Sequence, residues 1–205
     1  MNANQDPHLE ILANHYSETF GLLKADVGRR DRLFLYMLIV IFLLLLYMSA
    51  PTDMGEWINS FIISQAGNAN GTTTVKVIDV SFIGTILWFG FLSLSHTYFQ
   101  AVLHVERQYG YIYNLEKQIS QHFDGHAFIR EGKHYRDNKR KFSSWTKFIF
   151  WILSPLLIIL FLIYWQVFLF SNSQTEVIYL VVNSLISLSV IISMGLYLWA
   201  LYKKK

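Results

Sequence analysis

The chain has 205 residues, of which 53% are hydrophobic, 17% aromatic and only 15% charged, with a formal net charge of +3. Soluble domains carry about 25% charged residues. Here the apolar excess falls into four blocks free of Asp, Glu, Lys and Arg, which excludes an ordinary soluble globular protein and an intrinsically disordered one. Cysteine is absent, so disulfides, thiolate metal sites and cysteine nucleophiles are excluded too.

Residues 1–32 read as an amphipathic helix on the cytoplasmic side. Asp6 suits its cap and Pro7 its first turn, and Leu9, Leu12, Tyr16, Phe20, Leu23 and Val27 recur at helical spacing. The stretch before the arginines is not basic, so packing on another cytoplasmic helix is favoured over lying on lipid. The first spanning helix is predicted at about 33–50, preceded by Arg29, Arg30 and Arg32 and stopped by Pro51. It is expected to act as an uncleaved signal anchor.

The outer loop holds a short amphipathic stretch, Trp57, Ile58, Phe61 and Ile62, expected at the membrane interface. Asn70-Gly71-Thr72 matches the glycosylation acceptor pattern, which is common by chance. A second spanning helix is predicted at about 80–103. Val105, Tyr109, Ile112, Leu115, Ile119 and Phe123 continue its stripe with no breaker before Asp124-Gly125, which implies one long helix running about three or four turns into the cytoplasm. Ser143 or Ser144 can cap the third spanning helix, about 148–170, and the fourth follows at about 177–202. The predicted fold class is all-α: a four-helix transmembrane bundle over 33–205, with cytoplasmic amphipathic helices and a cytoplasmic loop at 104–147.

Orientation follows from Lys and Arg. Four spanning helices put the tail, the second loop and the C-terminus on one side, and that side carries 16 of the 17 cations. Both termini are therefore expected in the cytoplasm, in a cell inner membrane. The net charge of +3 resolves into +6 inside and −3 outside. Tyr47, Trp57, Tyr164, Trp165 and Tyr179 are expected as an outer aromatic belt, and Tyr36, Trp145, Trp199 and Tyr202 as an inner one.

Three constellations stand out. On the second spanning helix Ser93, His96, Thr97, Gln100, His104 and Arg107 fall within about 100° of one another. They read either as the lining of a cytoplasm-facing vestibule or pore, or as interhelical hydrogen bonding where the helix leaves the membrane. On the fourth helix Ser189 and Ser193 form a small-xxx-small pair, while Asn183, Ser184, Ser187 and Gly195 lie on another face. Ser189, Ser193 and Gly195 are candidate packing positions, within the bundle or between subunits. Pro155 is expected to kink the third helix.

The remaining motifs are weak. His122 and His126 are separated by a helix breaker and, with His134, make a poor metal site, so no metal and no cofactor is expected. Lys139-Arg140-Lys141 suits anionic lipid rather than nucleic acid. No phosphate-binding glycine loop, nucleophile elbow or paired-carboxylate site is present, so no enzyme is expected.

The stretch YIYNLEKQISQHFDGHAFIREGKHY, Tyr111 to Tyr135, resembles a segment of small uncharacterised bacterial membrane proteins with two pairs of spanning helices. The residues that carry the resemblance are Leu115-Glu116, Arg130-Glu131-Gly132 and Tyr135. Some of those proteins are similar to membrane components of anti-phage systems. The resemblance implies a bacterial membrane protein and no established activity. Arg130, Glu131 and Tyr135 would form a docking or sensing surface, or else a surface turn held by an Arg–Glu pair.

Together these readings lead to an oligomeric, non-enzymatic, pore-like or membrane-perturbing component controlled through its cytoplasmic layer. The alternative is an anchor that recruits a soluble cytoplasmic protein through loop 104–147. The expected partners are the lipid bilayer and a second copy or such a protein.

Overall fold

A computed structural model describes residues 7–67, 79–122, 145, 148–171 and 176–203. Among them the chain is helical apart from short joints, and no strand occurs. The first helix, α1, runs unbroken from Pro7 to Ser49, 43 residues. The tail helix and the first spanning helix expected as separate pieces are thus one rod, because no proline or capping sequence interrupts the chain at Arg29–Arg32. It ends where Pro51 disfavours helical geometry at Ala50. Pro51 then opens α2 (Pro51–Gly67), and the Ala50 carbonyl accepts from Met54 N at 3.1 Å.

Asp79 caps α3 (Val80–Ser120), accepting a hydrogen bond from Ser81 N at 2.8 Å. With 41 residues and no internal proline, α3 passes straight through the level where the apolar run ends near Leu103. Its continuation to Ser120 makes about five turns. Gly125, expected as its cap, lies outside the described residues, as do Ser143 and Ser144.

The third span opens with a π-helical turn, Ile149–Leu153, and continues as α4 (Ser154–Ser171). Pro155 has no N–H to give, and the Ser154 N–H reaches five residues back to the Ile149 carbonyl. The disturbance expected from Pro155 therefore takes the form of a widened turn. The last helix is α5 (Val177–Tyr202).

Among the described residues, four helical stretches are long and apolar enough to cross a bilayer: Leu9–Ser49, Ser81–Ser120, Ile149–Ser171 and Val177–Tyr202. This is the make-up of a multi-pass membrane protein. The outer surface agrees, since Leu45 on α1, Leu160 and Val167 on α4, and Leu188 and Ile192 on α5 are all exposed. An apolar exterior of this extent suits lipid rather than water.

α3 is the central element. α1 packs along it on one side and α5 on the other, while α4 closes the bundle against α5. The interior between them is filled by aromatic rings. Trp88 stacks on Phe91 at 5.0 Å and on Trp165 at 4.8 Å, and Phe99 stacks on Tyr197 at 4.7 Å. Tyr47 and Trp165, expected in the outer belt, belong to this core, at 6% and 0% exposure. Trp57, Tyr164, Trp199 and Tyr202 do lie exposed.

The two ends of the bundle are held by different physics. In lipid, helix association gains little from the hydrophobic effect and depends on close contact and hydrogen bonds. Gly84 supplies such contact, because a Cβ there would sit 2.7 Å from the Tyr47 ring. Beyond the membrane level, Leu23 of α1 packs with Val105 and Ile112 of α3, flanked by Tyr16, Phe20, Val27 and Tyr109. There water is the competing solvent, and burial of each large aliphatic side chain is worth about 1.5–3 kcal/mol. The tail helix thus packs on another helix.

Candidate functional site

The polar residues singled out on α3 all share one side of that helix, turned away from the aromatic core. Ser93, His96, Gln100, His104 and Arg107 are exposed and Thr97 is half-buried. They do not line a passage inside the bundle, which the rings of Trp88, Phe91, Phe161 and Trp165 occupy. Within a single copy this face looks outward between α1 and α5.

The register of the rods sets the depth of each residue. α1 and α3 run antiparallel, with Tyr47 against Gly84, Ser95 beside Met37, Phe34 beside Tyr98 and Asp26 bonded to Gln108. Leu33, where the apolar run of α1 begins, is thus level with about Phe99. Ser93, His96 and Thr97 fall on the apolar side of that level. Gln100, His104 and Arg107 fall on the polar side.

In the apolar part, the His96 ring joins two elements. Its Nδ1 lies 3.3 Å from Ser193 Oγ of α5, and Gln100 Nε2 lies 2.9 Å from its Nε2. A neutral ring with the proton on Nδ1 satisfies both, Gln100 donating to the ring and the ring donating to Ser193. Thr97 returns its hydroxyl to the Ser93 carbonyl at 2.8 Å. Part of the face is therefore engaged in interhelical hydrogen bonding.

In the polar part, α1 and α3 enclose an open groove of about 380 Å³. Its walls include Asp26 and Arg29 of α1 and Thr97, Gln100, His104 and Arg107 of α3. Gln108 donates to Asp26 Oδ2 at 2.7 Å, and His104 Nε2 lies 3.3 Å from the same oxygen. Asp26 and Arg29 escaped the motif reading because they lie on another helix; only the antiparallel register brings them here.

The candidate packing residues of α5 divide. Ser193 meets α3 through His96. Ser189 is exposed and bonds its own Leu185 carbonyl at 2.9 Å, and Gly195 has open space where a Cβ would stand. The bundle instead uses Asn183 and Ser187, which are buried. Ser187 Oγ accepts from Trp88 Nε1 at 3.2 Å and from Gln166 and donates to the Asn183 carbonyl, while Asn183 Nδ2 donates to Thr85 Oγ1 at 3.0 Å. This network ties α3, α4 and α5 together, and the alternate face of Asn183 and Ser187 was the signal for it.

Arg130, Glu131, Tyr135, His126 and His134 lie outside the described residues. Among the described residues no group of three His, Asp or Glu is placed to hold a metal ion. No family model matches the chain, and no curated protein or solved structure is detectably similar to it.

Proposed function

We propose that this chain is an oligomeric, non-enzymatic membrane component in which the outward face of α3 meets a second copy. The observation that carries the reading is the position of Ser93, His96 and Thr97. They are polar, they lie at the depth of the lipid chains, and Ser93 and His96 are exposed on the surface of a single copy. Polar groups at that depth usually face other helices or water. Ser189 and Ser193 of α5 flank the same surface with small side chains that allow close approach. Because aromatic rings fill the interior of one copy, a conducting or membrane-perturbing path would run between copies, lined by these residues. The 16 of 17 cations on one side support cytoplasmic termini in a cell inner membrane. The resemblance of Tyr111–Tyr135 supports a bacterial setting and a place among membrane components of anti-phage defence.

The natural absence of cysteine makes the test direct. Ser93→Cys in proteoliposomes should form a disulfide-linked dimer on oxidation, and Leu160→Cys on the opposite exterior should not. Ion flux should accompany assembly. Strictly monomeric protein with no cross-link at Ser93 and no conductance would overturn the proposal.

A second reading, an anchor for a soluble protein, is favoured by two exposed apolar residues beyond the membrane level, Ile11 at 67% and Leu22 at 62%. Arg130, Glu131 and Tyr135 in loop 104–147 are the other residues proposed to recruit such a protein. An anchor loses its partner when Ile11 and Leu22 become Asp, whereas a self-contained pore still conducts.

A further inference from the structure

The groove between α1 and α3 combines features that the self-association of the chain does not require. Its two guanidinium groups, Arg29 and Arg107, come from different helices, and among the described residues neither forms an ion pair. Its carboxylate, Asp26, is already engaged by Gln108 and His104. The groove is therefore cationic, with two planar donors suited to an oxyanion. Thr97 and Gln100 add neutral polar groups at its apolar end, and Ala101 and Leu103 give it an apolar wall.

Depth decides what kind of anion fits. By the register of α1 against α3, the groove straddles the level of Leu33 and Phe99, where hydrocarbon gives way to headgroups. Arg29, Gln100, His104 and Arg107 lie on the headgroup side with Ala101 and Leu103 among them, and Thr97 lies on the chain side. Its volume of about 380 Å³ exceeds what a bare phosphate needs. No residue of α4 or α5 lines it, so it opens on the periphery of the bundle, where lipid lies.

We infer that this groove is a binding site for the phosphate of an anionic phospholipid headgroup, clamped between Arg29 and Arg107 with its acyl chains leaving past Thr97. The inference rests on the membrane reading and not on self-association, so its test does not depend on conductance. Basic pockets between spanning helices on the cytoplasmic side are suited to such headgroups, and each arginine near the surface contributes roughly a fivefold preference.

The test uses the full chain in nanodiscs of phosphatidylglycerol mixed with phosphatidylcholine, with retained lipid counted by native mass spectrometry. Wild-type protein should retain phosphatidylglycerol several-fold over its share of the mixture. Arg29→Gln with Arg107→Gln should abolish that preference. Lys24→Gln, an exposed cation of α1 outside the groove, should keep it. Equal loss with Lys24→Gln would show only a diffuse surface charge and overturn the site, as would wild-type retention that matches the mixture. Inorganic phosphate and glycerol 3-phosphate, added to phosphatidylcholine nanodiscs, should leave the thermal unfolding temperature unchanged. Stabilisation by either to the extent given by the lipid would assign the groove to a free phosphate compound and overturn the lipid assignment. Should the double variant fail to fold, Leu103→Trp fills the groove and keeps both arginines, and preference retained in it would equally overturn the site.

Discussion

The hydroxyl of Tyr197 on α5 donates to the backbone carbonyl of Phe150, 47 residues earlier, at 3.2 Å. The carbonyl is available for a definite reason. Its α-helical donor would be Ser154 N, which bonds Ile149 instead, and its π-helical donor would be Pro155, which has no N–H. Lipid offers no replacement. One phenolic hydroxyl thus completes the backbone bonding of a neighbouring helix.

This relation predicts a coupled pair. Tyr197→Phe leaves the carbonyl unsatisfied and should cost about 1–3 kcal/mol. Pro155→Ala restores an N–H in the same turn, so in that background the cost of Tyr197→Phe should shrink. Unfolding in bicelles, taken as a double-mutant cycle, measures it. Strictly additive costs would refute the link.

Gly84 yields a steric prediction. Gly84→Ala forces a methyl against Tyr47, a side chain only 6% exposed and wedged near Trp165 and Phe168. Overpacking of this kind costs about 1–3 kcal/mol. Tyr47→Leu should remove most of the penalty of Gly84→Ala, and thermal unfolding of the single and double variants checks it.

Two serines two residues apart should behave oppositely. Ser187→Ala removes the acceptor shared by Trp88 and Gln166 and should destabilise the single copy by about 0.6–1.7 kcal/mol. Ser189→Ala, exposed and bonded within its own helix, should leave that stability unchanged. If the α3 face joins copies, Ser189→Ala instead alters self-association. Unfolding and dimer titration, measured on the same samples, separate the two effects.

The water-exposed end of the molecule should respond to cavities more than its lipid-facing exterior does. Ile112 is fully buried between α1 and α3, and Ile112→Ala should cost about 2–5 kcal/mol. Leu160 is 55% exposed on α4, and Leu160→Ala should stay within about 0.5 kcal/mol. Hydrogen exchange should show the loss at Ile112 confined to the water-exposed ends of α1 and α3.

How much of this was readable beforehand depends on what a linear pattern encodes. The four apolar blocks and the long α3 were legible, because length and the absence of breakers are properties of the chain itself. So was the stripe of Leu23 and Val27, since water demands that it be covered. Rotation about the axis was not legible inside the membrane, where lipid and core are equally apolar. Tyr47 and Trp165 look like belt residues by position and prove to be core. The outward polar face of α3 was found as a set, but its exposure depends on where α1 and α5 settle. Asp26 with Gln108, Tyr197 with Phe150 and Gly84 with Tyr47 are long-range pairings that no local spacing announces.

The continuity of α1 and α3 has a mechanical side. Neither rod has a joint where it enters the membrane, and each turn is bonded to the next by hydrogen bonds that resist twist. Displacement of the pair at its water-exposed end, by a partner or a neighbouring copy, would therefore be delivered as rotation or tilt at Ser93 and His96, about four to five turns away. In the proposed reading the molecule would be geared, with the Leu23–Ile112 pair as handle and the outward face of α3 as the driven part.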